Sequence, residues 1–282
     1  MDTIEANQII HGQLARMGEY DKSPHFYPEN IEFVKSLFTN FFDKLLLGPQ
    51  SVLSDCLDLG CGTGFMYHIL QCHDLDNYVG IDITEDMLSV CRQKYPKISL
   101  EIANAEDLPF SEHSFSIVTS YSFLDHLDSP VKVIEEAYRV LKEGGVFYSG
   151  LIPNAEFSFN LLSASNSSGQ YLWNSYEHQL TREIKAMYNN GAVYAEMYGF
   201  DANILQQAEP QKTQHHGLMI DDTINQLKEV GFKRVLICPN WFFGQGLLKT
   251  NLEQMKVVDN FLKSLGPVSR ALFKYYDFFA VK

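Results

Sequence analysis

The sequence contains no run of about 18 apolar residues, the length that suggests a membrane-spanning helix, although 45% of its 282 residues are hydrophobic. We therefore expect no membrane-spanning segment and no membrane partner. The amino-terminal stretch MDTIEANQIIHG also lacks the charged and then apolar pattern of a secretory signal. These two absences predict a cytoplasmic protein.

Basic residues are scarce, because 22 lysines and arginines stand against 35 acidic residues and the formal net charge is −13 at pH 7. No basic cluster occurs along the chain. Proteins hold nucleic-acid phosphates through clustered cations, so the composition argues against a nucleic-acid partner. Neutral or cationic small molecules fit this charge better.

The five cysteines include no pair at CxxC spacing, and most fall within predicted strands or helices. They are interpreted as reduced thiols of the core. No set of three ligands has a convincing spacing either, so we predict no metal site.

Glycine is concentrated at residues 57–64, LDLGCGTG, where it occupies alternate positions between an apolar run and a helical pattern. Such glycines tolerate positive φ and let the backbone approach a ligand, and the N–H groups of the following helix start attract an anion. A dinucleotide fingerprint would need glycine where Phe65 stands, so the spacing is GxGxG. Asp82 ends the next apolar run, 18 residues after Gly64. A carboxylate at roughly that spacing can accept hydrogen bonds from both ribose hydroxyls, which predicts a ribose-containing ligand.

Short apolar or β-branched runs bounded by turns are predicted as seven strands. They are residues 55–59, 78–82, 98–102, 115–121, 146–151, 233–238 and 277–281. Helical patterns alternate with most of them, and this order predicts an α/β fold with a parallel, doubly wound sheet.

Together these motifs resemble those of the class I S-adenosylmethionine-dependent methyltransferases. LDLGCGTG is similar to the family's first motif, GID to its second-strand acid, NAEDLPF to its adenine-side loop, and YRVLKEGG to the turn into its fifth strand. The four motifs follow the family's order and cover about residues 50–151. The resemblance implies a seven-stranded, mostly parallel Rossmann-like sheet with an antiparallel final strand, and S-adenosylmethionine as the cofactor.

The chain divides into four predicted regions. Residues 1–50 form a helical N-terminal cap, and residues 51–151 form the cofactor-binding core. Residues 152–219 form a large insertion after the fifth strand, and residues 220–282 complete the sheet with a further helical insertion. The aromatic-rich insertion emerges at the carboxyl edge of the sheet, so with the cap it is predicted to form a lid that excludes water. Rings that only seal the edge of the core are the alternative.

The resemblance assigns parts of the cofactor to particular positions. Gly60, Cys61 and Gly62 would face the methionine part, Asp82 the ribose and Ile83 the adenine. The complete set of predicted cofactor-binding residues is Asp58, Gly60, Cys61, Gly62, Gly64, Asp82, Ile83, Met87, Asn104, Ala105, Ser120 and Tyr121.

Two of these residues have a structural alternative. Asn104 stands where many relatives have aspartate, and its amide oxygen can accept a hydrogen bond from adenine without the assistance of a charge. An ordinary turn residue is the alternative for Asn104. The acidic Asp58 lies in a strand that should be buried, where it would support the loop or the cofactor's ammonium group, and a local cap is its alternative.

The acceptor side is less well defined by the sequence. Its candidates are Tyr20, His25, Phe123, Trp173 and Tyr176. His126, in LDHLDSP, is a candidate general base, but the family often carries histidine there without a proton-transfer role, so structural placement is favoured. His216 could enter the pocket from the insertion, although exposed loop histidines are common. Methyl transfer does not require a permanent base, so no catalytic residue is assigned.

The leading hypothesis is therefore methyl transfer to an oxygen or nitrogen of a small molecule, with carbon acceptors also open. A non-catalytic cofactor-binding protein that uses the insertion for partner contacts is the first alternative. A nicotinamide dehydrogenase is the second, and Phe65 argues against it. The acceptor and the oligomeric state stay open at this point.

Overall fold

The computed structural model describes residues 1–45, 54–73, 75, 77–167, 170, 177–188 and 196–282. One seven-stranded sheet forms its centre, in the order β3-β2-β1-β4-β5-β7-β6. The strands are β1 (Asp55–Leu59), β2 (Asn77–Asp82), β3 (Ser99–Ile102), β4 (Phe115–Tyr121), β5 (Leu141–Pro153), β6 (Arg234–Phe242) and β7 (Phe273–Val281). Strands β1 to β5 pair in parallel, whereas β7 runs antiparallel to both β5 and β6. This confirms the predicted doubly wound, mostly parallel sheet and its antiparallel final strand.

Helices cover both faces of the sheet. They are α1 (Thr3–Arg16), α2 (Pro28–Leu45), α3 (Phe65–Leu70), α4 (Glu85–Lys94), α5 (Val131–Val140), α6 (Ala155–Asn166), α7 (Glu177–Tyr188), α8 (Ala202–Ala208), α9 (Pro210–Thr213), α10 (Ile220–Val230) and α11 (Leu252–Ser264). Within the described ranges, no helix combines the length and the apolar character needed to cross a bilayer.

Alternate residues of the strands point into two separate cores. Leu57, Val118 and Phe147 pack with helices α5 and α10 on one face. The adjacent residues Cys56, Ile117 and Tyr148 pack with α2 and α3 on the other face. Burial on both faces explains why the central strands read as continuous apolar runs.

Three predicted strands are clearly longer in the structure than in the sequence pattern. Strand β5 was predicted over residues 146–151, but it runs from Leu141 to Pro153. Strand β6 was predicted to end at residue 238, before Pro239, but it continues to Phe242. It is an edge strand, where a proline costs no ladder hydrogen bond on the open side. Strand β7 was predicted to start at Asp277, but it starts at Phe273. The buried Asp277 carboxylate accepts hydrogen bonds from the Leu151 N–H and the Tyr148 hydroxyl, so this acid lies inside the strand.

The N-terminal helix α1 lies across the carboxyl side of the sheet, between α4 and α8. Ile10 and Leu14 of α1 pack with Leu205 of α8. On the other side, Arg16 forms an ion pair with Asp86 of α4. Helix α1 therefore connects the second βα unit of the sheet with the end of the 152–219 insertion.

Candidate functional site

The loop between β1 and α3 contains three glycines with positive φ, each required for a different reason. Gly60 (φ 61°) faces the ring of Phe123, and an added Cβ there would overlap that ring. A Cβ on Gly64 (φ 93°) would lie 2.7 Å from Tyr95. At Gly62 (φ 53°) the nearest atoms to an added Cβ are 4.0 Å away, so this position opens into free space.

Asp82, at the end of β2, links this loop to the start of α4. One carboxylate oxygen accepts from the Gly62 N–H at 3.0 Å, and the other accepts from the Thr84 N–H at 2.9 Å. Burial raises the pKa of Asp82, and these two backbone hydrogen bonds act in the opposite direction. Because each carboxylate oxygen has two lone pairs, further donors can still bind.

A cavity of about 710 Å³ opens at this edge of the sheet. We call it the site cavity. It brings together the predicted residues Tyr20, His25, Gly60, Cys61, Gly62, Asp82, Ile83, Met87, Asn104, Ala105, Tyr121, Phe123 and His126. Its position at the carboxyl ends of parallel strands is the usual ligand site of a doubly wound sheet.

Other predicted residues lie away from the site cavity. Asp58 and Ser120 are buried within the sheet, and the Ser120 hydroxyl donates to Ser149 at 2.8 Å. The Gly64 position packs against α4 rather than the cavity. His216 lies beside Phe159, with ring centroids 5.9 Å apart. Trp173 and Tyr176 belong to residues outside the described ranges.

Asn104 has a contact that favours its structural alternative. Its side-chain oxygen accepts a hydrogen bond from the Glu106 N–H at 3.0 Å, and its backbone oxygen accepts from Asp107. The residue thus stabilises its own turn while lining the site cavity. A second lone pair on the amide oxygen remains for a ligand.

Asp58 bridges neighbouring strands. The Tyr78 hydroxyl donates to one carboxylate oxygen at 2.6 Å, and the Thr119 hydroxyl donates to the other at 2.9 Å. Burial is the main cause that raises the pKa of Asp58 to about 7. These contacts support a structural role behind the glycine loop.

This pKa predicts how stability depends on pH. The folded-state pKa lies above the value of the unfolded chain, so the stabilisation from Asp58 is complete below about pH 4 and is lost as the pH rises to about 7. Between pH 5 and 8, the wild-type protein should lose on the order of 2 kcal/mol of unfolding free energy relative to Asp58→Asn. Urea unfolding at several pH values measures this difference. Asp107→Asn, at an exposed position, is the control, and curves for Asp58→Asn that parallel the wild type would contradict the prediction.

The site cavity also contains a polar cluster of which only His126 was predicted from the sequence. We call it the acceptor-side cluster, and it consists of Asn7, His11, Asp125, His126, Glu209 and Lys212. The Glu209 carboxylate and the Lys212 ammonium form an ion pair at 2.9 Å. Their spacing of three residues within a helical pattern usually marks a solvated helix face, so the sequence gave no sign that the pair lines a cavity.

Two histidines that line the site cavity, His11 of this cluster and His25, are neutral at pH 7. Burial lowers the pKa of His11 to about 3 and that of His25 to about 4. His11 hydrogen-bonds the Tyr20 hydroxyl through Nδ1, while its buried Nε2 has no hydrogen-bond partner among the described residues. Both histidines therefore contribute polar atoms without charge.

Helix α1 contacts two segments that line the site cavity. The Gln8 amide donates to the Ile83 carbonyl, which follows β2, at 3.0 Å. The Asn7 amide donates to the His126 carbonyl, in the turn after β4, at 3.2 Å. In the part of the chain that the structure describes, no group of three or more His, Cys, Asp or Glu side chains is arranged to hold a metal ion.

A methyltransferase domain family matches residues 57–149, which include the glycine loop and Asp82. The ubiquinone biosynthesis O-methyltransferase of Hydrogenovibrio crunogenus is 30% identical over 154 residues, which cover 52% of this chain and 59% of that protein. The demethylmenaquinone methyltransferase of Symbiobacterium thermophilum is 36% identical over 99 residues, which cover 32% of this chain and 39% of that protein. This chain thus covers less than two thirds of these curated relatives.

Similarity of fold extends over more of the chain. The crystal structure of an S-adenosylmethionine-dependent methyltransferase from Archaeoglobus fulgidus superposes with a TM-score of 0.52 at 18% identity. The superposition covers 89% of this chain and 94% of that one. At 18% identity, the superposition shows that the two chains share a fold.

Proposed function

Because the chain belongs to the class I, Rossmann-like S-adenosylmethionine-dependent methyltransferases, we propose that it methylates an oxygen or nitrogen atom of a small molecule. The observation that carries this proposal is the pairing of Gly62 with Asp82 at one edge of the site cavity. The names of the two curated relatives support a small-molecule acceptor.

The glycine-loop side of the site cavity fits the cofactor. The free space beside Gly62 allows a ligand to approach the backbone, and a side chain there would fill that space. Asp82 keeps lone pairs for the ribose hydroxyls beside its two backbone hydrogen bonds. Ile83, Met87 and Ala105 give this side an apolar surface suited to the adenine.

When bound, S-adenosylmethionine supplies a methyl group activated by a sulfonium. The chain's own task is to align the acceptor with this methyl and to exclude water. Residues of the N-terminal helix α1 line the site cavity. Leu205 of α8 and Lys212 of α9, which belong to the 152–219 insertion, also line it. We propose that these segments form the lid that excludes water from the site cavity.

Titration calorimetry with S-adenosylmethionine and with NAD tests the cofactor, and release of S-adenosylhomocysteine with a panel of alcohols, phenols and amines tests turnover. We expect S-adenosylmethionine to bind, NAD not to bind, and at least one acceptor class to release product. Absence of S-adenosylmethionine binding would overturn the proposal. Binding without product for every acceptor would favour the non-catalytic alternative.

A further inference from the structure

We propose that the acceptor is an amine, bound as its ammonium ion by the carboxylate of Asp125 in the acceptor-side cluster. This inference rests on the proposed function, because it names the substrate class of the same cavity. It also makes Asp125 the residue that determines specificity between amines and alcohols.

The first observation is an unsatisfied carboxylate oxygen. Asp125 follows β4 in the short helical turn Leu124–His126, lines the site cavity and is only 5% exposed. Its Oδ1 atom accepts no hydrogen bond from any described residue. Nε2 of His126 lies 3.8 Å from this oxygen, which is too far for a hydrogen bond. A buried carboxylate with too few donors is destabilising, and a cationic ligand in the cavity that Asp125 lines would offset this cost.

The second observation is the charge of the surrounding cavity wall. In the acceptor-side cluster, the carboxyl groups of Asp125 and Glu209 face one lysine, Lys212, which pairs with Glu209. Burial raises the pKa of Asp125, so this carboxylate gains from a cationic ligand beside it. His11 is neutral because burial lowers its pKa. Over its whole described lining, the site cavity has seven carboxylates and two lysines. These carboxylates would repel a phenolate or a carboxylate ligand. An ammonium ion would instead be the positively charged partner of the Asp125 carboxylate.

The third observation is a proton acceptor next to this carboxylate. Asn7 donates from its amide nitrogen to the Thr3 and His126 carbonyls, so its amide oxygen faces Nδ1 of His126 at 3.0 Å. The Ala208 carbonyl lies 3.1 Å from the same nitrogen. Because both neighbours are acceptors, these partners assign a hydrogen to Nδ1, so Nε2 is the ring nitrogen left to accept a proton.

The chemistry that follows conserves charge and atoms. The bound ammonium passes one proton to Nε2 of His126, and the resulting imidazolium lies beside the Asp125 carboxylate. The freed nitrogen lone pair forms the new N–C bond as the S–C bond of the sulfonium breaks. The products are an N-methylammonium ion, S-adenosylhomocysteine and the proton on His126.

Matched pairs of ligands that differ in charge test the inference. Benzylamine with benzyl alcohol, phenethylamine with phenethyl alcohol, and cyclohexylamine with cyclohexanol are titrated into protein saturated with S-adenosylhomocysteine. We expect at least one amine to bind and its alcohol not to bind. Asp125→Asn should weaken amine binding about 10- to 100-fold, since a charged hydrogen bond is lost. Asp107→Asn, which removes an exposed carboxylate outside the cavity lining, should leave it unchanged.

Thermal unfolding of Asp125→Asn without ligands separates this role from a structural one. If the Asp125 carboxylate binds a ligand and does not support the fold, Asp125→Asn should be as stable as the wild type or more stable. A marked loss of stability would show that Asp125 supports the fold and would overturn the inference.

Two outcomes separate this inference from the proposed function. Binding of S-adenosylhomocysteine with methylation of alcohols or phenols, and no binding of any amine, would overturn the amine assignment and leave the methyltransferase proposal intact. Absence of binding of both S-adenosylmethionine and S-adenosylhomocysteine would overturn the proposed function itself.

Discussion

Gly62→Val should weaken S-adenosylmethionine binding by at least about 100-fold, because the new side chain would occupy the space that the ligand needs. An added Cβ at this position has no neighbour closer than 4.0 Å, the nearest atoms being the Gly60 carbonyl oxygen and a Met87 methyl carbon. The protein should stay folded, although valine in this left-handed conformation costs about 1 to 2 kcal/mol.

Gly64→Ala is the matched control for Gly62→Val. Its Cβ would lie 2.7 Å from the Tyr95 ring and 2.9 Å from the Cys91 sulfur, so this variant should lose stability. Thermal unfolding and titration calorimetry on both variants distinguish the two effects. Normal cofactor affinity in Gly62→Val would mean that the ligand does not approach this glycine.

Asp82→Ala should weaken S-adenosylmethionine binding by about 2 to 4 kcal/mol, since two hydrogen bonds to a charged acceptor are lost and water restores part of them. That loss corresponds to a rise in Kd of roughly 30- to 1000-fold. Part of this loss of affinity would come from the glycine loop, because the Asp82 carboxylate also accepts hydrogen bonds from the Gly62 and Thr84 N–H groups. Without these contacts the loop loses its link to β2.

Asp86→Ala provides the comparison for Asp82→Ala. Asp86 lies four residues further along the chain, pairs with Arg16 and does not belong to the described lining of the site cavity. Calorimetric titration should show nearly unchanged cofactor affinity in this variant. Equal affinity in Asp82→Ala and the wild type would refute the assignment of Asp82 to the ribose.

The sequence predicted the sheet better than its exact ends. The bounds of β1 and β4 agree with the prediction, because both are short apolar runs with clear turns on each side. The fifth strand and the last two were predicted too short. The prediction ended β6 before Pro239 and started β7 at Asp277. Their positions, at a sheet edge and inside a buried hydrogen-bond network, are tertiary facts that no local pattern contains.

The two sides of the site cavity differ in how far the sequence could predict them. The cofactor side depends on one loop and the residues that follow strands, so contiguous motifs mark it. The acceptor-side cluster combines His11 of α1, Asp125 after β4 and Lys212 of α9, which are far apart in the chain. Asp125 was not predicted as a site residue, although an acid stands next to His126 in LDHLDSP, because its burial appears only in the structure.

Helix α1 links the cofactor side of the site cavity with the turn that contains His126. It holds the Ile83 carbonyl through Gln8 and the His126 carbonyl through Asn7, so it cannot shift at one end without altering the other. Any movement of this helix that the cofactor causes therefore changes the free energy of acceptor binding. By linkage, the acceptor would then change cofactor affinity by the same factor, so we predict that the two ligands bind cooperatively.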